Sequence, residues 1–432
     1  MKQGLLQLTA LIRDKGEEHM AKIKPFRCIR PNVAVVSRVA ALPYDVYNRE
    51  EAKVEVEKEP LSFLKIDRAE TAFDDSVDTY DAKVYAKAKE TLEAMIADGT
   101  FIADEDSCYY LYELIMNGRS QTGIVACASI DDYLNNVIKK HENTREDKEL
   151  DRINHVDICN AQTGPIFLAY RAVARLNEVV DKVKKEAPLY AFTSTDGITH
   201  NVWKVLSTED NAVIEKTFAD MDQIYIADGH HRCASAVKVG LKRRSENPNY
   251  TGEEEFNSFL SVLFPDEQLM IMDYNRAVKD LNGYSKEEFI QEVEKNFTIT
   301  LVGEKVYAPE HKSTFGMYLD KQWYKLEAKD NLRAIIDPVD GLDVSVLQDY
   351  LLKPILGIED PRMDKRIEFI GGIRGLGELE RRVDSDMKVA FAMYPTSIAE
   401  LFAVADANRL MPPKSTWFEP KLRSGIFIHS LD

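Results

Sequence analysis

The chain has 432 residues, and its 73 acidic and 56 basic side chains give it a formal net charge of −17. That balance argues against bulk binding to nucleic acid or to an anionic membrane, because phosphate backbones and acidic lipids are held by dense basic surface. No apolar run has the length of a membrane span and the five cysteines form no Cys-x-x-Cys pair, so we expect a cytoplasmic protein of two or three globular domains.

The first segment with the character of a domain begins at Met20. Residues 1–19 have no small-residue cleavage site of the kind found in secretory signals, and we interpret them as an N-terminal extension. Further along, Asp45 has two interpretations. It caps a predicted helix over residues 49–56, or it supplies a carboxylate to a functional site.

Hydrophobic periodicity predicts a mixed α/β chain. Predicted in order are a strand over 61–66, a helix over 80–97, a hairpin over 107–130 that turns at Asn117-Gly118, a helix over 171–187 and a strand pair over 188–205. Residues 241–252 are basic and then rich in Asn, Pro and Gly, which predicts an exposed loop or linker. This loop divides the chain into a region of residues 20–245 and a region of residues 253–432.

A polar stretch, His141-Glu142-Asn143-Thr144, precedes an apolar run at residues 163–168. Composition alone favours the start of a solvated, charged helix. A carboxylate beside basic side chains is also suited to act as a general base when a hydroxyl has to be activated. Both interpretations of Glu142 stay open from the residues alone.

The stretch from Gln223 to Val239 predicts a buried strand, a turn and a helix, with Asp228-Gly229-His230-His231-Arg232 in the turn. Such a turn directs free backbone N–H groups and the positive end of a helix toward one point, which suits an anion. Gly229 allows close approach of the backbone, and Arg232 adds a planar charged group that matches phosphate oxygens. We interpret the turn as a phosphate-binding site; the alternatives are a metal site or a helix cap without chemistry.

The C-terminal part is predicted to mix strands and helices. Strands are predicted over 269–278, 314–319, 324–326 and 367–370, and helices over 285–296 and 344–352. Residues 410–421 are predicted to form a rigid loop, because Pro412 and Pro413 hold the approach to Lys414, Ser415 and Thr416 in extended backbone. These three side chains could close over an anion, and an ordered loop without a function is the alternative.

Five motifs stand in the order seen in a known family. They are Pro43-Tyr44-Asp45-Val46, His141-Glu142-Asn143-Thr144, Gly164-Pro165-Ile166-Phe167, Ala227-Asp228-Gly229-His230-His231-Arg232 and Met411-Pro412-Pro413-Lys414-Ser415-Thr416. Through them residues 20–432 resemble a family long catalogued as a domain of unknown function, which is related to kinases of free L-serine and, more distantly, to ParB and sulfiredoxin domains. The resemblance implies a ParB/sulfiredoxin-like α/β core with an additional mixed sheet and a C-terminal α/β region.

The resemblance also implies an activity, namely transfer of phosphate from ATP or ADP to the hydroxyl of free L-serine or a close relative. It implies Mg²⁺ as the cofactor with Asp228 as its protein ligand, and Glu142 as the base beside His141. The implied nucleotide-binding residues are Asp228, Gly229, His230, His231, Arg232, Lys414, Ser415 and Thr416, and the implied substrate-binding residues are Tyr44, Asp45 and Arg276. The stretch Asp273-Tyr274-Asn275-Arg276 departs from the His-containing pattern of many relatives.

Three other functions are weighed against a kinase. A ParB-like nucleotide-gated clamp on DNA is disfavoured by the acidic charge and the absence of a basic helix pair. A sulfiredoxin-like repair enzyme would need a reactive cysteine ahead of the histidine, whereas Cys233 follows Arg232. A non-catalytic nucleotide-binding regulatory protein stays as the alternative. The expected partners are a small substrate and a nucleotide, without nucleic acid or membrane, and a homodimer stays open.

Overall fold

The computed structural model describes residues 20–432, so the predicted extension of residues 1–19 lies outside the described residues. The chain is a mixed α/β protein, as predicted from the sequence. Its strands form a nine-stranded sheet, a six-stranded sheet, a four-stranded sheet and a two-stranded ribbon. Among the described residues, no helix has both the length and the apolar character needed to cross a bilayer.

The strands are short to medium in length and are distributed over the whole described chain. They are β1 Ile23–Lys24, β2 Cys28–Pro31, β3 Phe101–Ala103, β4 Tyr109–Met116, β5 Arg119–Ser129, β6 Ile138–Lys139, β7 Ala161–Gln162, β8 Ile166–Tyr170, β9 Tyr190–Thr193, β10 Thr199–Val205, β11 Ile224–Asp228, β12 Ser258–Pro265, β13 Ile271–Met272, β14 Tyr274–Val278, β15 Phe297–Gly303, β16 Thr314–Leu319, β17 Gln322–Ala328, β18 Ile367–Gly371, β19 Val389–Met393, β20 Trp417–Phe418 and β21 Ile428–Ser430.

The α-helices are α1 Val36–Val39, α2 Arg49–Lys58, α3 Leu64–Asp67, α4 Ala82–Ala97, α5 Ile130–Leu134, α6 Glu146–Cys159, α7 Ala174–Val183, α8 Thr208–Phe218, α9 His230–Glu246, α10 Lys286–Val293, α11 Asp330–Arg333, α12 Asp343–Leu347, α13 Gly377–Ser385 and α14 Ile398–Asp406. Short 3₁₀ turns lie at Tyr44–Val46, Ala69–Ala72, Glu255–Asn257, Asp266–Gln268 and Gly372–Arg374, and a π turn lies at Gln348–Leu352.

The nine-stranded sheet has the order β6-β11-β8-β12-β5-β4-β10-β9, with β1 paired to β5. Most neighbours are antiparallel, but β6 is parallel to β11 and β12 is parallel to β8. Every residue of β12 is buried, which fits a central strand covered on both faces. Because β12 follows residue 253, the sheet takes strands from both sides of the predicted boundary at 245–253, and the division into two regions stays a prediction.

The C-terminal part contributes a six-stranded antiparallel sheet of order β15-β17-β16-β19-β14-β18. Two later strands return to the rest of the molecule. Strand β20 pairs with β13, and β21 inserts between β2 and β7. The last twenty residues therefore pack against elements from the beginning and the middle of the chain.

The predicted helices, strands and loops are confirmed in most places and wrong in two. The hairpin at Asn117-Gly118 is confirmed, since both residues have positive φ between β4 and β5. The strand predicted over 61–66 is wrong, because its apolar residues instead form a buried turn that continues into α3, and a short apolar run does not distinguish the two by its period. The loop predicted over 241–252 is also wrong in its first half: α9 continues to Glu246, and Arg244 pairs with Asp131 on α5.

Candidate active site

Two parallel strands bring the main predicted motifs together. Ile138 and Lys139 of β6 lie opposite Ile224 and Tyr225 of β11. Parallel neighbours leave a sheet at the same edge, so the residues after β6 and those after β11 meet there. This pairing explains how His141-Glu142 comes to lie beside the turn Asp228–Arg232, called below the 228–232 turn, although about ninety residues separate them.

The 228–232 turn has the form of an anion-binding site. Gly229 precedes α9 with φ 94° and ψ 32°, a left-handed conformation that favours glycine. Its amide donates to Asp228 Oδ1 over 2.9 Å. The amides of His230, His231 and Arg232 find no acceptor among residues 20–432 and remain available at the positive end of the helix.

Arg232 folds across Gly229 and is held there. Its Nη1 donates to the carbonyl of Pro165 over 2.6 Å. A Cβ atom at Gly229 would lie 3.1–3.2 Å from the guanidinium group, and one at Gly164 would lie 3.6 Å from Nη1. Two glycines and a proline carbonyl thus fix the guanidinium beside the free amides. Its other N–H groups have no acceptor in the described chain.

Asp228 pairs with a lysine that the sequence interpretation did not assign to the site. Lys421 Nζ lies 3.2 Å from Asp228 Oδ2. Burial acts to raise the pKa of Asp228, but the cations of Lys421 and Arg232 outweigh it and hold the pKa well below its ordinary value. Lys421 is the last residue of the predicted rigid loop of residues 410–421. Its place in that loop was the one feature of the sequence that pointed to a role in the site.

The surroundings of Asp228 fit a magnesium–nucleotide complex better than a bare magnesium ion. One carboxylate oxygen accepts from the Gly229 amide and the other faces Lys421, with Arg232 close by. Mg²⁺ is commonly bound by one or two carboxylates together with substrate phosphates. Asp228 could therefore hold the ion once phosphates supply the remaining oxygens.

Glu142 reaches the mouth of the same site. Its side chain is 44% exposed, and no residue from 20 to 432 donates a hydrogen bond to it. The surrounding protein raises its pKa by desolvation, and the charges of Asp228 and Asp45 add to this, whereas Lys414 and Lys421 oppose it. A carboxylate with a raised pKa and free lone pairs is suited to accept a proton.

The three histidines have separate surroundings. His141 and His230 pack edge to face, with ring centres 4.5 Å apart. Burial lowers the pKa of His141 to about 4 and lowers that of His230 well below its ordinary value. His231 turns away from this pair, and its Nε2 accepts from the amide of Arg145 over 3.0 Å, at the start of α6. The proposed nucleotide-binding role of His231 stays a prediction.

Tyr44 and Asp45 lie in a 3₁₀ turn. The prediction that Asp45 caps the helix after it is wrong, because Asn48 caps α2 in a reciprocal pair with Glu51. Asp45 instead lies near enough to Glu142 to raise its pKa. Tyr44 is buried, with the guanidinium of Arg152 4.0 Å from its ring centre.

The late loop is tied to the site by its backbone. The amide of Met411 donates to the carbonyl of His141 over 2.8 Å. Lys414 has φ 61°, and the hydroxyl of Ser415 donates to the carbonyl of Pro412 over 2.6 Å. The hydroxyl of Ser415 is therefore engaged within the loop, while that of Thr416 forms no hydrogen bond with the described residues.

Arg276 is a buried cation without a carboxylate partner. Its side chain donates to the carbonyls of Tyr274 and Lys414. No acidic oxygen of residues 20–432 lies within 4 Å of it, whereas the buried guanidinium groups of Arg30, Arg152 and Arg423 each pair with an aspartate (Asp104, Asp151 and Asp196). Burial lowers the pKa of Arg276 to about 10. An unneutralised buried guanidinium beside the Lys414 loop is a candidate anion-binding group.

Solved structures similar to this chain share little of its sequence. Against SbnI with a C-terminal truncation from Staphylococcus aureus, the identity is 12%, the TM-score is 0.38, and 71% of this chain and 87% of that chain are covered. Against a free serine kinase with a glutamate-to-glutamine substitution, in complex with AMP, the identity is 14% and the TM-score is 0.35, and 71% of this chain and 92% of that chain are covered. Against a conserved hypothetical protein from Pyrococcus furiosus, the identity is 15% and the TM-score is 0.33, and 71% of this chain and 95% of that chain are covered.

Among curated proteins, none matches the chain. One family model does match, over residues 23–345, and its description is a protein of unknown function, DUF1015. The match contains four of the five motifs quoted above and most of the chain. It confirms the predicted resemblance to a family catalogued as a domain of unknown function. The chain belongs to the DUF1015 family.

Proposed function

We propose that this chain is a small-molecule kinase that transfers phosphate from ATP or ADP to the hydroxyl of free L-serine or a close relative. One observation carries the proposal: a helix start with three free amides and a carboxylate free of hydrogen bonds lie together at the edge formed by β6 and β11. Phosphoryl transfer requires mainly positioning and neutralisation of charge, together with a group that orients the attacking oxygen.

The nucleotide phosphates would bind at the 228–232 turn. The amides of His230, His231 and Arg232 are free at the start of α9, and the guanidinium of Arg232 is held at the same turn. Lys421 adds a second cation next to Asp228. Mg²⁺ would be held by Asp228 and the phosphates, where it would neutralise their charge. Lys414 and Thr416 would contact the nucleotide from the late loop.

The acceptor would bind between Glu142 and Arg276. Glu142 would accept the proton of the acceptor hydroxyl. The hydroxyl oxygen would bond to the terminal phosphorus of the nucleotide while the bond from that phosphorus to the rest of the nucleotide breaks. His141 would support Glu142 from the interior, and Tyr44 and Asp45 would line the entrance. Arg276 lacks a carboxylate from the protein, which favours an acceptor that carries its own carboxylate, as serine does.

A screen by phosphorus NMR tests the reaction. Small hydroxyl compounds are incubated with Mg²⁺ and ATP or ADP, using the wild type and Glu142→Gln. We expect a phosphorylated acceptor with the wild type. The amide keeps the size of the side chain but cannot accept the proton, so turnover should fall by about 10²–10⁴-fold while nucleotide affinity is kept.

The outcomes separate the competing functions. If nucleotide binds and no acceptor is phosphorylated, the regulatory nucleotide-binding protein replaces the kinase. If serine is phosphorylated equally fast by Glu142→Gln, the base is wrong and Asp45 is tested next. A tight shift of duplex DNA at physiological salt would favour the ParB-like clamp. Burial raises the pKa of the Cys233 thiol, which leaves little support for sulfiredoxin-like chemistry.

A further inference from the structure

Three potential metal ligands converge at the edge of the nine-stranded sheet. His141, Glu142 and His230 each offer one ligand atom, and these atoms lie within 4.8 Å of one another. Among residues 20–432 it is the one group of three or more His, Cys, Asp or Glu side chains placed to share an ion. His141 follows β6 and His230 begins α9 just after β11, so the parallel pairing of these two strands assembles the group.

His141 has ring nitrogens without hydrogen-bond partners. The side chain is buried, with 2% of its surface exposed, and neither Nδ1 nor Nε2 forms a hydrogen bond in the described chain. Other buried histidines do find partners: His155 contacts the carbonyl of Ile66, His200 the hydroxyl of Tyr112, and His429 the carboxylate of Glu255. A buried polar ring left unpaired is unfavourable, so the site is suited to a ligand that takes up a nitrogen lone pair.

The other two members are free to change their contacts. His230 Nδ1 lies 3.8 Å from Glu142 Oε2, and its Nε2 has one long contact of 3.4 Å with the amide of His141. That distance exceeds the usual range of a strong N–H···N or N–H···O bond, so it is readily exchanged. No residue from 20 to 432 donates a hydrogen bond to the carboxylate of Glu142, and its side chain is partly exposed. Glu142 can therefore move inward.

We propose that His141, Glu142 and His230 bind one divalent transition-metal ion, with Zn²⁺ as the best match. Imidazole nitrogens select Zn²⁺ and neighbouring transition metals, whereas Mg²⁺ takes oxygen ligands in a strict octahedron. A tetrahedral zinc site requires ligand atoms about 3.3 Å apart. The three ligand atoms now lie within 4.8 Å of one another, so they would draw closer on binding, with the exposed Glu142 free to move inward. Three protein ligands leave a fourth position open, as in catalytic zinc sites.

This ion site is distinct from the magnesium–nucleotide complex of the proposed function, and it would regulate that function. Glu142 cannot hold Zn²⁺ and accept the proton of a hydroxyl at the same time. Zinc would therefore inhibit phosphoryl transfer. Only this consequence rests on the proposed function, since binding of the ion itself needs neither nucleotide nor acceptor.

Zinc binding is measured directly on the full chain. The protein, without an affinity tag and freed of metal with a chelator, is titrated with Zn²⁺ by calorimetry in the absence of nucleotide, and with Co²⁺ while its visible absorption is recorded. We expect one tight ion per chain and the absorption of a four- or five-coordinate Co²⁺ site. His141→Gln, Glu142→Gln and His230→Gln should each lower the affinity by more than the about 10–100-fold that loss of an outer-shell partner costs.

His231→Gln is the matched control. His231 is the chain neighbour of His230, but its Nε2 accepts from the amide of Arg145 outside the group. We expect this variant to keep the wild-type zinc affinity. Circular dichroism and Tm without metal verify that each variant folds. If one variant does not fold, the zinc affinities of the other two and the Co²⁺ spectrum of the wild type decide whether these side chains bind the ion.

Two results would overturn the proposal. One is a wild type without a tight site for Zn²⁺ or Co²⁺, and the other is equal affinity in the three variants and in His231→Gln. The kinase fails independently: a chain that phosphorylates serine with Mg²⁺ but binds no zinc keeps the function and loses this site. A chain that binds zinc through the three side chains but phosphorylates no acceptor keeps this site and loses the kinase function.

Discussion

Lys421 Nζ lies 3.2 Å from Asp228 Oδ2, although 193 residues separate the two along the chain. The contact joins the C-terminal segment to the start of α9, where the free amides lie. It neutralises the one carboxylate that would otherwise repel a phosphate at this turn. The proposed phosphate-binding site is therefore complete only when the C-terminal segment that carries Lys421 is folded against α9.

Replacing Lys421 with methionine should weaken nucleotide binding. The variant keeps the length of the side chain but removes the cation that pairs with Asp228 and leaves Arg232 to offset its charge, so a bound phosphate is repelled more strongly. A hydrogen bond to a charged group contributes about 1.5–3 kcal/mol, so we expect about 10- to 100-fold weaker affinity for Mg²⁺–ATP by calorimetry. Lys353→Met is the control, because Lys353 pairs only with the exposed Glu359. Equal affinity in both variants would contradict the role of Lys421.

Much of the site could be predicted because its chemistry is local in sequence. The strand, the turn and the helix around Gly229 follow from an apolar run, a glycine and a helix-forming stretch. Hairpins and long amphipathic helices, such as α4, were predictable for the same reason. Each of these signals lies within about fifteen residues, which is the range over which periodicity is informative.

What could not be predicted depends on contacts between distant segments. The parallel pairing of β6 with β11 decides that Glu142 lies beside the 228–232 turn, and no local pattern encodes that pairing. Lys421 lies three residues after β20, and the pairing of β20 with β13 helps to place it beside Asp228. The missing counter-ion of Arg276 is likewise a fact about three-dimensional neighbours, since Asp273 lies only three residues earlier in the sequence and bonds to Asn275 instead.

Gly229→Ala should cost both stability and nucleotide affinity. The residue has φ 94°, and a Cβ atom would lie 3.1–3.2 Å from the guanidinium of Arg232. Backbone strain of about 1–2 kcal/mol should lower the free energy of unfolding, and a displaced Arg232 should weaken binding of Mg²⁺–ATP. Gly118→Ala separates the two effects: it has φ 78° with open space around the position. Gly118→Ala should lose a similar free energy of unfolding in urea denaturation while keeping full nucleotide affinity. If Gly118→Ala also binds nucleotide more weakly, general destabilisation explains the effect of Gly229→Ala.

Arg276→Met should impair recognition of the acceptor. The guanidinium is buried without a protein carboxylate, so we expect it to bind the carboxylate of serine. The KM for serine should rise by about 10- to 100-fold, and nucleotide affinity should be unchanged. Serinol, which has the hydroxyl but no carboxylate, should be a poor acceptor for the wild type. The advantage of serine over serinol should shrink in the variant, and an undiminished advantage would exclude Arg276 as the carboxylate-binding residue.

Asp132→Asn should change the pH dependence of stability. Burial raises the pKa of Asp132 to about 7, while its Oδ2 accepts from the amide of Lys22 over 2.6 Å. The folded chain therefore disfavours the charged form, and the wild type loses stability as pH rises from the unfolded pKa toward 7. Asparagine removes that loss. Urea denaturation should find the variant more stable relative to the wild type at pH 8 than at pH 5, by up to about 1.4 kcal/mol for each pH unit between pH 5 and the folded pKa. A difference that does not change with pH would contradict the role of Asp132.

The pH dependence of turnover should report the carboxylate of Glu142. Desolvation, Asp228 and Asp45 raise its pKa, while the cation of Lys414 lowers it. A general base works only when deprotonated, so activity should fall as pH decreases through a pKa above that of an ordinary glutamate. Lys414→Met removes a cation that favours the charged form. The pKa should then rise further, and the acid limb of the profile should move to higher pH.

The profiles are measured at saturating Mg²⁺–ATP, so that ionisation of the free nucleotide is the same for both proteins, with Lys353→Met as the control for loss of one lysine. Glu142→Gln should abolish the limb. A limb that stays at the same pH in Lys414→Met, or that persists in Glu142→Gln, would assign the titration to another group.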